Sequence, residues 1–224
     1  MKYKCDIKFM AVPSRMQNVV RQCSYFGLTF NDVAIDTAMS GLPLRTSQEA
    51  FSLPPEEGVT HRLVLQDDLI VNQHIKDGVQ YLVNRFPENP IALYTYKAKK
   101  HLSKGIYKLH FCPGPAIVMP FSIMDKIKEE YHLYPNFPHD DWFYSWYCKN
   151  NGIKVLGVVP NLVTLDTNEE SRLNHKVLKA YINNNYTLDE LDMSSFADMT
   201  NIFGDGYINL SMKEFKNKLE ECNR

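Results

Sequence analysis

Several common signatures are missing from this sequence. Its five cysteines, at positions 5, 23, 112, 148 and 222, are odd in number and form no CxxC pair. That pattern excludes a zinc knuckle or a dithiol redox motif, and scattered thiols fit a reducing cytoplasm. Net charge is almost absent, at -1, so no overall cationic surface announces a polyanion partner. Lys97, Lys99, Lys100, His101 and Lys104 form a local basic cluster, read either as a solvated loop or as an anion site. No apolar run approaches the roughly 20 residues needed to cross a bilayer. The opening Met1-Lys2-Tyr3-Lys4-Cys5-Asp6 is charged and has no apolar signal core behind it. The expectation is a cytoplasmic protein without a membrane partner. GxGxxG, GxxxxGKS/T and GxSxG are all absent, which removes support for nucleotide hydrolysis and serine-hydrolase chemistry. The seven histidines form no HxH or HExxH arrangement.

What remains is ordinary globular composition over 224 residues, 44% hydrophobic and 23% charged. An apolar run at 7–12, stopped by Pro13-Ser14, predicts a central strand, and Ser14 is placed to cap a helix over 15–26. Residues 31–36 predict a second strand ending in Asp36, and 47–53 a short helix. Residues 61–66 form a third strand that runs into Asp67-Asp68. A helix over 72–86 and a strand over 91–95 complete a strand–helix alternation. That alternation predicts an α/β fold with a mixed, mainly parallel sheet flanked by helices. Further strands are expected at 106–111, 116–119 and 153–159, with helices at 122–131, 139–150 and 173–185. The reading divides the chain into a domain over 1–185 and a C-terminal appendage over 186–224. The appendage ends in an amphipathic helix at 212–222 that packs on the domain or on a neighbour.

The most informative segment is the strand that ends in Gln66-Asp67-Asp68. Ligands of open α/β sheets sit outside the carboxyl ends of the strands. Adjacent carboxylates repel one another there unless a cation lies beside them. Hard oxygen donors suit Mg²⁺ or Mn²⁺, which can also bridge a diphosphate. The competing reading is a pair of acids serving the dipole of the next helix. Asp140-Asp141, ahead of Trp142, is a second acidic pair. Either it begins a helix, or it supplies a general base with a second acid to orient the acceptor. Of the two, Asp141 is taken as the base. Arg15 begins a helix where N–H groups and a guanidinium can hold phosphate. Asp36 is either a loop acid or an acceptor for a base or ribose. Trp142 is the aromatic candidate for acceptor contact.

In chain order these segments resemble a GT-A-type glycosyltransferase, over about residues 5–185. Val12-Pro13-Ser14-Arg15 and Asp36 resemble the donor-binding ends of the first two strands. Leu63 to Asp68 looks like the family's DxD-type metal motif, shifted to Gln-Asp-Asp. Gly114 to Pro120 resembles the acceptor-side strand, and His139-Asp140-Asp141-Trp142 the acidic motif that holds the base of inverting members. The resemblance implies a nucleotide-sugar donor, often a UDP-sugar, and a Mn²⁺ or Mg²⁺ ion. By match, Asp68 is the metal ligand, with Asp67 beside it on metal or donor ribose. Gln66 joins Val12, Pro13, Ser14, Arg15 and Asp36 at the donor, and Trp142 and Gly114 lie at the acceptor. Where many members carry a further histidine ligand, this chain has Thr164-Leu165-Asp166, so Asp166 or His175 is the substitute if there is one. The compact size is similar to phage-encoded members, some of which glycosylate hydroxymethylated pyrimidines in DNA. A glycan or protein acceptor is the alternative. Two other classes stay open: a nucleotidyltransferase, disfavoured by the glycine-free first loop, and a non-catalytic carbohydrate- or partner-binding module.

Overall fold

The structure is a computed structural model that describes residues 3–72, 74–94, 105–109, 112, 114–134, 136–137, 139–159, 161–166 and 200–202. The expected helices at 173–185 and 212–222, and with them the proposed appendage, lie outside the described residues, except for three residues of strand.

Strand β1 (Cys5–Ala11) is buried along nearly its whole length. Such a run suits a central strand covered on both faces. Its parallel neighbours are β2 (Val33–Ile35) and β3 (His61–Gln66), in register from Cys5 opposite His61 to Met10 opposite Gln66. Beyond β3 the sheet continues with β7 (Ala116–Pro120), β5 (Ile91–Ala92), β8 (Val155–Val159), β6 (Gly105–Leu109) and β10 (Thr200–Ile202). Antiparallel pairings join β7 to β3 and to β5, and β6 to β8; the others are parallel. The mixed, mainly parallel sheet expected from the alternation is present.

Helices cover both faces. α1 (Met16–Phe26) and α3 (Ile75–Arg85) bury Val19, Cys23, Phe26, Ile75, Val79, Leu82 and Val83 against one core, which also takes Ile7 and Phe9. α2 (Pro43–Ser52), α4 (Phe121–Tyr131) and α5 (Asp140–Asn150) cover the other, where Met10, Phe51, Met124, Phe143 and Tyr144 meet. The alternation of Phe9 and Met10 between the two cores follows from the twofold side-chain period of a strand. Among the described residues, no helix is long and apolar enough to cross a membrane.

Several local expectations change. Ser14 does not cap: Pro13–Arg15 forms a 3-10 turn and Arg15 is the N-cap of α1, with no side-chain cap bond. The strand expected over 31–36 is shortened, because Thr29 and Asp32 form a capping box around the 3-10 turn Phe30–Asp32. The helix expected at 47–53 starts earlier, at Pro43, a residue preorganised for the first helical turn. The helix expected from 72 starts at Ile75. Leu69–Val71 is instead β4, paired antiparallel with β9 (Val163–Leu165) in a separate two-stranded sheet.

The sheet interior carries charge. Arg62 is fully buried and opposite Asp6; Nε donates to Asp6 Oδ1 at 2.9 Å and Nη2 to Oδ2 at 2.6 Å. Its Nη1 donates to the carbonyls of Phe51 and Leu53 at 2.9 and 2.6 Å, which ties the end of α2 to the sheet. Lys8, also buried, pairs with Asp32. Removing one partner of such a pair leaves the other as an uncompensated buried charge. Arg62→Ala is therefore expected to cost about 3–5 kcal/mol in urea unfolding. Arg45→Ala, which breaks an exposed pair with Glu49, should cost under about 1 kcal/mol.

Candidate active site

The carboxyl ends of β1, β2 and β3 come together, and the fold locks them with hydrogen bonds. The Val12 N–H donates to Asp67 Oδ2 at 2.7 Å, and Arg15 Nη1 donates to Asp67 Oδ1 at 3.0 Å and to Asp68 Oδ2 at 3.2 Å. From the next turns of α1, Asn18 Nδ2 donates to the Asp67 carbonyl at 2.6 Å and Gln22 Nε2 to the Leu69 carbonyl at 2.7 Å. Sequence reasoning missed Asn18 and Gln22. Their signal was their spacing of four beside the buried Val19 and Cys23, which puts both on one face of the helix.

This clamp separates two adjacent acids. Asp67 is buried, with one carboxylate oxygen on a backbone N–H and the other on Arg15. It serves as a brace between β1 and β3. Asp68 is only half-buried, and its carbonyl accepts the Asp166 N–H at 2.7 Å. The register of β4 and β9 sets Leu69 opposite Leu165; one residue further, Asp68 lies opposite Asp166. Opposed residues of an antiparallel pair share a face with Cβ atoms about 5 Å apart. The fold thus brings Asp68 and Asp166 together. His175, the other candidate, lies outside the described residues. The buried Tyr94, just past β5, feels Asp68: burial and then the charge of Asp68 push its phenol up to about 12.

Asp36 stands at the end of β2. Its N–H donates to the Ala11 carbonyl at 2.9 Å, and its carboxylate accepts the Ser40 N–H and hydroxyl at 3.0 and 3.1 Å. Pro13 and Ser14 are exposed beside it. Gln66 donates its N–H to the Pro115 carbonyl at 2.9 Å, so the Gly114-Pro115 turn abuts the end of β3.

That turn carries the contact to α5. A Cβ built on Gly114 would lie 2.9 Å from Asp140 Oδ1 and 3.0 Å from Oδ2. Only glycine lets the carboxylate lie this close to the backbone. Ser145 fixes the approach: its hydroxyl donates to the Asp141 carbonyl at 2.5 Å and accepts the Cys112 N–H at 2.7 Å. Asp140 is 5% exposed; Oδ1 accepts the Asp141 N–H at 2.8 Å, while Oδ2 has no hydrogen-bond partner among the described residues. Burial pushes the Asp140 carboxyl up to about 6, against the backbone N–H groups that favour its charge. Asp141 is half-buried and accepts the Trp142 N–H at 2.8 Å. Trp142 is half-buried, its ring tilted on His139 at 6.1 Å between centroids.

Every described candidate thus sits at one end of the sheet. Arg15, expected at phosphate, contacts Asp67 and Asp68. Among the described residues, no group of three or more His, Cys, Asp and Glu is disposed to hold a metal.

No family model and no curated protein matches the chain. Among solved structures it is similar to the catalytic domain of Drosophila beta1,4-galactosyltransferase 7 in complex with xylobiose. The identity is 8% and the TM-score 0.40, over 87% of this chain and 82% of that one. A mutant of that domain, in complex with manganese, UDP-Gal and xylobiose, matches at 8% identity and TM-score 0.38, over 87% and 80% of the two chains. At these values the likeness is one of general α/β arrangement, and the function rests on the residues themselves.

The raised Asp140 pKa has a consequence for stability. The folded state holds the proton more tightly than the unfolded chain, so stability present below the ordinary value of 3.8 is lost as pH rises to about 6. Above that, Asp140→Asn should stabilise the protein by roughly 2–3 kcal/mol, and by much less at pH 4. Thermal melts of both proteins across that range measure the difference.

Proposed function

We propose that this chain is a glycosyltransferase that moves a sugar from a nucleotide-sugar, a UDP-sugar, to an acceptor hydroxyl. One observation carries the reading. A buried carboxylate with an unpartnered oxygen, Asp140, lies against the turn that abuts Gln66-Asp67-Asp68. A base and a candidate diphosphate site therefore share one end of the sheet.

Asp140, rather than Asp141, is the base in this reading. With its pKa raised to about 6, it is ionised at neutral pH yet basic enough to take a hydroxyl proton. The acceptor oxygen attacks the anomeric carbon, its proton passes to Asp140 Oδ2, and the bond from sugar to diphosphate breaks. The electron pair leaves with the nucleoside diphosphate, and attack from the opposite face inverts the carbon. Asp141 holds the first turn of α5 through the Trp142 N–H, and Trp142 and Gly114 border the acceptor side.

The donor set fits a divalent ion of limited kind. Asp68 and Asp166 are the two carboxylates that would hold Mn²⁺ or Mg²⁺, and donor oxygens and water would complete the shell, as such ions often allow. When bound, the ion stabilises the negative charge of the diphosphate leaving group. Asp67 is set aside as a ligand because both its oxygens are engaged. Asp36 and Gln66 border the donor, and Val12, Pro13 and Ser14 supply the turn under it. A hydroxymethylated pyrimidine in DNA is the first acceptor to screen, with glycan and protein hydroxyls next.

Melting curves with a panel of nucleotide-sugars, with and without Mn²⁺, test the donor. A metal-dependent shift with one nucleotide-sugar is the expected result, and no shift with any of them would overturn the reading. With the donor known, Asp140→Asn should abolish transfer without weakening donor binding, and Asp141→Asn should retain it. Turnover should fall on the acid side with a midpoint near 6, the value for Asp140. Gly114→Ala, which crowds that carboxylate, should lower kcat by about tenfold or more with donor affinity intact. Asp68→Asn and Asp166→Asn should each weaken Mn²⁺ binding, read directly by electron paramagnetic resonance.

A further inference from the structure

Among the described residues one non-glycine backbone is left-handed: Met39, with φ 49°. The other positive-φ positions are taken by Gly27, Gly41, Gly58 and Gly152. Glycine adopts this conformation without the steric cost that a Cβ imposes, so a methionine here is the exception.

The loop enforces the conformation. The Met39 N–H donates to the Asp36 carbonyl at 3.1 Å, while Ser40 donates its N–H and hydroxyl to the Asp36 carboxylate. Leu42 donates its N–H to the Ser40 hydroxyl at 3.3 Å. Asp36 itself is anchored to Ala11 in the central strand. Strain of this kind persists where the surroundings over-determine it, and it clusters at ligand sites. The Met39 side chain is 55% exposed, so packing gives little reason for a methionine. Its place does: the loop from β2 to α2 stands at the same end as Val12 and Arg15, where α/β sheets take their ligands.

We propose that Met39 is the nucleobase cover of the donor site. Its flexible thioether lies on the face of the base of a nucleoside diphosphate, a contact that sulfur makes well with aromatic rings. Asp36 is then the anchor that aims the loop. The inference rests on the glycosyltransferase reading and adds a residue that governs nucleotide affinity.

The test is calorimetric titration of the intact protein, Met39→Gly and Met39→Ala with UDP in Mg²⁺ buffer. Inorganic pyrophosphate serves as a probe without a base. Both variants should bind UDP about three- to tenfold more weakly and pyrophosphate within about twofold of the parent. Met39→Gly should also melt at a higher temperature, since it relieves the left-handed strain while the fold stays intact. Unchanged UDP affinity in both variants overturns the proposal, as does an equal loss for pyrophosphate. If the parent binds neither ligand, the glycosyltransferase reading fails and takes this one with it. Tight parental binding that the variants leave unchanged overturns the cover alone.

Discussion

The pairing of Asp6 with Arg62 is the constraint on which the rest is built. Two opposite charges near the start of adjacent, buried strands are best placed against each other. That fixes the register of β1 on β3 from Cys5 opposite His61 to Met10 opposite Gln66. Six residues beyond Asp6, the same register delivers the Val12 N–H to Asp67. A slip of one residue would turn one strand over relative to the other and separate the brace from its acid. Arg62 also holds the last carbonyls of α2, so it sets the far end of the segment that begins with Met39. A buried ion pair of this kind contributes more to register than to net stability.

At the other face the fold accepts a cost. Asp140 is buried, crowded by Gly114 and left with an oxygen that no described group satisfies. A leucine-like residue there would make a more stable protein. Behind it lies Tyr144, one helical turn on and fully buried, its hydroxyl 2.6 Å from Ser47 Oγ and accepting the Gln48 Nε2–H at 3.0 Å. Burial and then the Asp140 charge push that phenol well above its ordinary range. It therefore stays neutral beside the carboxylate. The polar groups around Asp140 are fixed by α2 and Ser145, so its environment is set by packing. A buried carboxyl of this type loses stability in its charged state and gains basicity from the same burial.

How much of this was legible in the sequence depends on which residues one asks about. The alternation of strands and helices was, because periods of 2 and 3.6 survive in a single sequence. The placing of Gln66-Asp67-Asp68 and Asp140-Asp141 in one site was legible only through the resemblance. What each acid does was not legible. Asp67 and Asp68 are identical in sequence terms, yet Val12 and Arg15 engage both oxygens of Asp67, while Asp68 shares Arg15 and adjoins the short sheet. Which of Asp140 and Asp141 is buried could not be read either, because a helix rotates neighbouring residues by about 100° and nothing local says which faces inward. β4 and β9 were invisible for a different reason. Three residues each are too short for a period, and their pairing is 96 positions apart at Leu69 and Leu165.

That small sheet changes how the site is understood. The Asp68 half of the centre comes from the first strand–helix repeats, and Asp166 from a segment that follows β8. Their meeting depends on the antiparallel bonds of β4 and β9, and on Asn72 and Leu162, whose N–H groups donate to the Leu162 and Leu93 carbonyls at 3.0 Å each. Two carboxylates brought face to face repel, and like charges opposite each other weaken a sheet. The Arg15 guanidinium on Asp68 answers part of that repulsion at 3.2 Å. A divalent ion would answer the rest, and its arrival would strengthen the cross-strand pairing of β4 and β9. Without an ion, the two short strands rest on their own antiparallel bonds, on the Asn72 and Leu162 links and on the Arg15 contact to Asp68.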